Sequence, residues 1–574
     1  MSKLIYVCSK DKLPFSVGKL LQDICCSLSP DNIKPSNPKI IVRDNIAYSI
    51  MNPANSILEK DNSVLMGFIY GKVENWNIPL EYFPDGSYAL FRDGDKCFEA
   101  VSDAVASRTI WYYFDKKIFI SATSQRAIVM FLGSFVFNGS VIPWMLSTGN
   151  IGPLLSWDKR IKCIRPDSSV ILDKNEWSIS FKSNPIKFNI VKRSDEEHQK
   201  LLEETLVKTF KSLDIDFSSW VLPLSGGYDS RGILCLLHAT VPNANRIRTI
   251  TWGLKSSQYV RGNDAFIAKE LANKLKIPHK YYYTDLSEEP VEKIISRFLL
   301  LGEGRTASLA GYVDGFRLWK ELYEDGIQGI IRGEVGFSES CVSSPLTLRR
   351  FLHLTLCSDF KNLKDYKKYG FVSQEIPHHL LQREDETLNL WFDRLYQEYE
   401  LPTMFAALTD LKLPYVELIN PLLSKPILEI IRQLPDHLRS GKTLHKKIVM
   451  SLSPKVSFAK YGANARPESI LRQKQIVAFL KDELSSKNAK EVFPPEFLDF
   501  ILKGLKADDQ EGKIKSSPLK SIIKRVFPKY IINAFFDNYM LSVDSNILAF
   551  RVLIIIKMIK FLNEDSKLRL CKYE

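Results

Sequence analysis

Hydrophobic patterning divides the chain into two regimes. Up to about residue 185, apolar residues come in short runs broken by turn residues. Ser63–Tyr70 reads as a strand; Ser87–Phe91 is another, closed by Asp93-Gly94-Asp95, and Cys97–Val101 returns from it as a hairpin. Trp111–Phe114 and Lys117–Ser121 form a second hairpin around Asp115-Lys116. Many short strands predict a layered, β-rich domain. From about residue 195 the period changes. Helices are predicted at Glu196–Leu213, Asp264–Lys276 (Ile267, Leu271 and Leu275 on one face), Pro290–Leu301 and Val313–Leu322. Between them lie strands at Trp220–Leu224, Arg246–Gly253, His279–Tyr283 and Gln328–Gly333. This alternation predicts a parallel, doubly wound sheet with ligands at the carboxyl ends of its strands. The last ~200 residues read as mostly helical. The expected fold class is α/β, with a β-rich domain at 1–185 and a parallel-sheet domain with a helical C-terminal part at 195–574.

Composition narrows the class. A chain of 574 residues with 45% hydrophobic and 25% charged positions builds a large core without disulfides. The nine cysteines show no CxxC spacing, which argues against structural zinc and fits a reducing cytosol. Leu4–Val7 is too short for the apolar region of a signal peptide, and Ile547–Leu562 carries Arg551, Lys557 and Lys560. That stretch is expected to be a buried helix rather than a membrane span, and the protein to be cytoplasmic. A net charge of +13 suggests an acidic partner such as nucleic acid, anionic membrane, acidic peptide or ATP. Part of it sits in an acid-free run from Lys513 to Lys529, for which a solvated face is the plainer reading.

The chemistry concentrates after the first strand of the second regime. Trp220–Leu224 breaks into Ser225-Gly226-Gly227-Tyr228-Asp229-Ser230, and an apolar helix with Ile233, Leu234, Leu236 and Leu237 follows. Strand, glycine turn and helix aim backbone N–H groups and a helix N-terminus at an anion. Ser225 and Ser230 add hydroxyls, and Asp229 offers a carboxylate suited to Mg²⁺. No Gly-Lys-Ser/Thr follows, so the pattern is not the Walker loop. Ser-Gly-Gly-x-Asp-Ser resembles the PP-loop of ATP pyrophosphatases, which implies ATP and Mg²⁺ as cofactors.

Other stretches extend the resemblance. Asp85–Phe91, Ser102-Asp103 through Arg108 to Tyr112-Tyr113, Phe119–Ser124 and Lys159–Ser168 resemble, in order and spacing, the glutamine-amidotransferase (Ntn-like) domain of asparagine synthetases. In that family the nucleophile is an N-terminal cysteine. Here Met1-Ser2-Lys3 opens the sequence and the first cysteine, Cys8, lies within a predicted strand. Glutamine hydrolysis is therefore not expected, and Cys8 reads as a small buried residue. In the second domain the resemblance places Leu224, Thr251, Trp252 and Gly253 at adenine, although Trp252 reads equally as a core aromatic. It aligns Arg332–Glu339 with the family's Ser-Gly-Glu-Gly-x-Asp-Glu: Gly333 and Glu334 are kept, and Glu334 takes the position that binds or deprotonates the amine. Phe337 replaces the second Mg²⁺ carboxylate, with Glu339 a substitute. Val416–Ser424 and Gly441–Met450 resemble the family's following segments. Ser457–Pro467 falls where a catalytic lysine is carried, which makes Lys460 the candidate cation at the departing pyrophosphate, against the plain reading of a surface lysine. The histidines have no metal-ligand spacing.

The resemblance implies adenylation of a carboxylate by ATP and then amide formation, with AMP and pyrophosphate released. Relatives lacking the N-terminal cysteine include beta-lactam synthetases and lasso-peptide cyclases, which makes macrolactam closure of a precursor peptide the leading specific reading, with a leader-peptide-processing protease as partner. Glu334 favours the alternative, amidation of a sugar acid or amino acid by an external amine. A catalytically silent scaffold and an RNA-modifying enzyme are the remaining readings; the latter is disfavoured by the absence of cysteine pairs, so nucleic acid is not the expected partner.

Overall fold

The computed structural model describes residues 2–54, 56–242, 246–338, 341–508 and 541–568. Two of the stretches singled out above, Glu339 and Lys513–Lys529, lie outside the described residues.

The β-rich half consists of two stacked antiparallel sheets. The strands are β1 (Lys3–Ser9), β2 (Lys39–Val42), β3 (Ile46–Met51), β4 (Ile57–Lys60), β5 (Ser63–Ile69), β6 (Gly86–Asp93), β7 (Cys97–Ser102), β8 (Trp111–Phe114), β9 (Ile118–Ala122), β10 (Lys162–Cys163), β11 (Ser168–Asp173) and β12 (Ser178–Ser183). One sheet runs β10-β8-β9-β1-β3-β2 and the other β12-β11-β7-β6-β5-β4. β1 is apolar from Leu4 to Cys8 because both its faces are covered. Leu4, Tyr6 and Cys8 point between the sheets toward Phe91, Phe98 and Phe119, while Ile5 and Val7 face the helices Val17–Leu28 and Gln125–Leu132. Tyr6 stacks on Tyr48 at 5.2 Å between ring centroids, so the layer is held largely by aromatic faces. The hairpins expected around Asp93–Asp95 and Asp115-Lys116 are present, β6 with β7 and β8 with β9.

The second half is built on a parallel sheet of β13 (Trp220–Pro223), β14 (Arg248–Gly253), β15 (His279–Tyr283), β16 (Gly329–Ile331) and β17 (Glu417–Ile419), in the order β15-β14-β13-β16-β17. Trp220 and Leu222 pack toward Ile233, Leu234 and Leu237, and Val221 packs on the opposite face with Ile250 and Ile330. Trp220 pairs with Gly329, where a Cβ would lie 2.4 Å from the indole; only glycine lets that ring lie across β16. The helix predicted from Val313 begins instead at Arg317. Gly315 and Phe316 both adopt positive φ, and the Asp314 carboxylate accepts from the N–H groups of Phe316 and Leu318, so local turn chemistry overrides the apolar period.

The helix Ser545–Ser566 is buried along most of its length, as expected for Ile547–Leu562, and joins the halves. Its Asp565 receives Arg126 of the β-rich half at 2.8 Å. Nearby, Lys3 Nζ meets Glu303 Oε1 at 2.8 Å with both side chains almost fully buried, and Trp157 Nε1 donates to the Glu303 carbonyl. Among the described residues, no helix is long and apolar enough to cross a membrane.

Candidate active site

β13 is the central strand of the parallel sheet. The chain goes from it to β14 and β15 on one side, and later to β16 and β17 on the other. The reversal between β13 and β16 is a topological switch point, where the loops leaving adjacent strands diverge and open a crevice. Ser225–Ser230 leaves β13 at this point, and Gly333-Glu334 leaves β16. The two loops touch: a Cβ on Gly333 would lie 3.2 Å from the Ser230 nitrogen.

The glycine turn is stabilised by its own side chains. The Ser225 N–H donates to Ser230 Oγ at 3.0 Å, the Gly227 N–H to Ser225 Oγ at 3.3 Å, and the Gly226 N–H to Asp264 Oδ1 at 2.9 Å. A carboxylate oxygen thus rests on an amide of the kind that binds phosphate elsewhere. Burial pushes the Asp264 carboxyl above the ordinary range.

Asp229 occupies the first turn of the helix Tyr228–Thr240. Lys442 Nζ bonds Asp229 Oδ2 at 2.6 Å, and His445 Nε2 lies 3.3 Å from Oδ1. Burial pushes the Asp229 carboxyl up, but these two neighbours outweigh it and hold the group below the usual carboxylate value. Both come from the helix Thr443–Leu452 and its cap. That helix crosses Tyr228–Thr240 closely at Gly232, where a Cβ would meet Val449 at 2.8 Å. Phe337 is buried, its ring 5.8 Å from that of His445. The position aligned with a second carboxylate is therefore part of an apolar wall. Among the described residues, no group of three or more His, Cys, Asp and Glu side chains could hold a metal ion. Asp229, the carboxylate suited to Mg²⁺, is paired here with Lys442.

Glu334 Oε1 is held by Arg332, whose Nε lies 2.9 Å away, while its buried Oε2 has no hydrogen-bond partner. Buried oxygens are normally satisfied. This oxygen lies in the loop that touches the glycine turn, and a carboxylate oxygen of this kind is chemically able to accept a proton.

No family model matches the chain, and no curated protein does. Two solved structures are distantly similar to parts of it. One is a glutamine phosphoribosylpyrophosphate amidotransferase from B. subtilis complexed with ADP and GMP, 10% identical over 50% of this chain and 66% of that one, with a TM-score of 0.19. The other is the U34-tRNA thiolase NcsA from Methanococcus maripaludis with its 4Fe-4S cluster, 13% identical over 60% of this chain and 98% of that one, with a TM-score of 0.20.

The remaining candidates divide. Thr251 Oγ1 donates to the Leu224 carbonyl, so these two residues lock β14 to β13. Trp252 packs edge-on to Trp319 at 5.6 Å, the arrangement of a core aromatic. Gly253 is tightly covered: a Cβ there would meet the Ala463 carbonyl and the Tyr281 hydroxyl at 2.6 Å. Ala463 belongs to the loop 456–464, which packs on the glycine turn and on the end of β14. Its Phe458 stacks on Tyr228 at 4.0 Å, with the Arg231 guanidinium 3.8 Å from the Phe458 ring centroid. The N–H groups of Ala459 and Lys460 donate to the carbonyls of Gly226 and Gly262, and the Leu254 N–H donates to Ala463. The Lys460 side chain is exposed to solvent. Lys442 and His445, which contact Asp229, were not singled out from the sequence. A Gly-Lys pair opening a helix was the available signal, and only the crossing at Gly232 shows where it points.

Proposed function

We propose that the chain is an AMP-forming, ATP-dependent amide synthetase that joins a small carboxylate to an external amine or ammonia. The observation that carries this reading is the unpaired, buried Glu334 Oε2 beside the Ser225–Ser230 turn at the switch point of the sheet. A nucleotide-type anion and a proton acceptor within one crevice suit a reaction in two stages. In the first, a carboxylate oxygen attacks the α-phosphorus, the bond to the β-phosphate oxygen breaks, and pyrophosphate leaves. In the second, the amine nitrogen attacks the acyl carbon, the acyl–AMP bond breaks, and the proton shed by nitrogen passes to Glu334. The N-terminus of the helix Tyr228–Thr240, which no side chain caps, provides fixed positive potential for the phosphates. Mg²⁺ enters as the ATP complex and screens phosphate charge when bound.

In this reading residues 1–185 form an amidotransferase-like unit without glutaminase activity, and 195–574 form the synthetase unit. Cys8 lies within β1, and burial pushes its thiol far above the usual range, which suits a packing role. Closure of a peptide macrolactam is the narrower version of the same chemistry. It shares the adenylation step and differs only in carrying the amine on the substrate.

The test supplies ATP, a panel of amino-acid, sugar-acid and peptide carboxylates, and hydroxylamine as a general amine. Equimolar AMP, pyrophosphate and hydroxamate are expected, with loss of all three in Asp229→Ala. ADP and phosphate as products, or undiminished turnover by Asp229→Ala, would refute the assignment. No turnover with any acid, together with intact ATP binding, would favour a silent scaffold.

A further inference from the structure

Two stretches without an acidic residue meet beside the glycine turn. The connection 254–263, between β14 and the helix Asp264–Lys274, holds Lys255, Tyr259 and Arg261. It is longer than the roughly two to six residues a strand-to-helix connection needs, and it leaves the carboxyl end of β14, the edge where such sheets bind ligands. The loop 456–464 adds Lys460 and Tyr461. The two are zipped together although Arg261 and Tyr461 lie 200 residues apart in the chain. The Lys460 N–H donates to the Gly262 carbonyl at 2.9 Å, the Asp264 N–H to the Tyr461 carbonyl at 3.1 Å, and the Tyr461 hydroxyl to the Arg261 carbonyl at 2.6 Å.

The zipped surface is cationic and aromatic. Lys255, Arg261, Lys269 and Lys460 are exposed, and among the described residues none of them makes an ion pair. Of the acids bordering it, Asp264 accepts from the Gly226 N–H and Asp285 from the Lys255 N–H, while Glu270 follows Lys269 in the chain. Tyr259 is 73% exposed and Tyr461 51%. A lone exposed ring needs no explanation, but these two stand on touching loops among unpaired cations, with Lys269 Nζ 5.9 Å from the Tyr259 ring centroid. The Tyr461 ring is also pinned at its hydroxyl, so it loses little freedom when a planar group stacks on it. An acidic peptide would satisfy the cations alone. A single nucleic-acid strand repeats both matching groups, a phosphate and a flat base, along one chain.

We propose that the loops 254–263 and 456–464 form a docking surface for single-stranded nucleic acid, with phosphates against Lys255, Arg261, Lys269 and Lys460 and bases stacked on Tyr259 and Tyr461. The absence of cysteine pairs counts against RNA-modifying chemistry, not against contact of this kind. The proposal stands apart from the synthetase reading, since it requires neither turnover nor a bound nucleotide.

The experiment is fluorescence anisotropy of the full chain with labelled oligouridine and oligothymidine, each about 20 nucleotides long, from about 50 to 200 mM salt. Both should bind, because phosphate charge and base faces are what the surface reads. Affinity should fall with a slope of about −3 in log salt, about 0.7 for each of four phosphates. Lys255→Ser/Arg261→Ser should flatten that slope by about 1.4. Tyr259→Ala should weaken binding about 5- to 150-fold at unchanged slope, the range for one stacked base, and Tyr259→Trp should restore it. Lys116→Ser/Lys117→Ser removes the same charge from an exposed turn of the β-rich half and should leave affinity within about twofold. Equal losses in the two double variants, wild-type affinity in Tyr259→Ala, or polyglutamate or anionic vesicles bound as tightly as oligouridine would each overturn the proposal. ATP-dependent amide synthesis by a chain that binds no oligonucleotide would overturn it and leave the synthetase reading standing; oligonucleotide binding with these variant effects supports it even where no turnover is found.

Discussion

Gly226→Ala is the sharpest probe of how the loop 456–464 relates to the glycine turn. An ideal Cβ on Gly226 falls 2.4 Å from the Ala459 Cβ and 3.0 Å from the Ile267 Cβ. Carbon atoms in good contact sit about 3.5–4.0 Å apart, so one neighbour must retreat by about 1 Å or more. Ile267 is locked in the core of the sheet domain, which leaves Ala459 to move. The loop is tied down by the N–H groups of Ala459 (3.0 Å to the Gly226 carbonyl) and Lys460 (2.9 Å to Gly262). Each such bond is worth about 0.5–1.5 kcal/mol net, and overpacking of this kind costs about 1–3 kcal/mol. A local destabilisation of about 2–3 kcal/mol follows, equivalent to amide exchange about 30- to 150-fold faster at Ala459 and Lys460. Hydrogen-exchange mass spectrometry over 456–464 measures this directly. Gly227→Ala is the control. Its nearest neighbour is Ser225 Oγ at 3.4 Å and its backbone is extended, so exchange in the loop should stay within about threefold of wild type. Equal exchange in Gly226→Ala and wild type, or an equal rise in both variants, would refute the packing argument.

Three further outcomes are expected. Glu334→Gln removes the proton acceptor while keeping the shape, so amide formation should fall about 10²- to 10⁴-fold with ATP–pyrophosphate exchange unchanged; rapid quench separates the two steps. Burial lifts the Asp85 carboxyl to about 6. The folded chain therefore holds that proton more tightly than the unfolded one, and the associated stability, full below pH ~4, declines as pH rises through 6 by up to about 3 kcal/mol. Asp85→Asn, which keeps an acceptor for the Lys425 N–H, should accordingly gain on wild type between pH 4 and 7 in thermal melts; a constant offset would refute it. Lys3→Met leaves Glu303 buried without its ammonium at the junction of the halves and should cost about 3–5 kcal/mol. Glu303→Gln in the same chain should recover part of that loss in melting temperature, and no recovery would show that the pair is not coupled.

Much of the architecture was written in local pattern. The hairpins β6–β7 and β8–β9, the strands β13 to β16 and the turn at Ser225–Ser230 all follow from apolar period and turn residues, because those signals act over a few neighbours. β17 escaped, being three residues long and too short to show a period. What the sequence could not specify was which distant groups meet. Asp229 read as a carboxylate suited to Mg²⁺, and only the crossing at Gly232 shows that Lys442 and His445 meet it, 213 and 216 residues further along the chain. Lys460 read as the cation of the site, yet its backbone, more than its exposed side chain, is what engages the glycine turn's surroundings. Secondary structure is set by a residue's near neighbours, but the charge of a site is a sum over every group within a few ångströms, and only packing decides which groups those are.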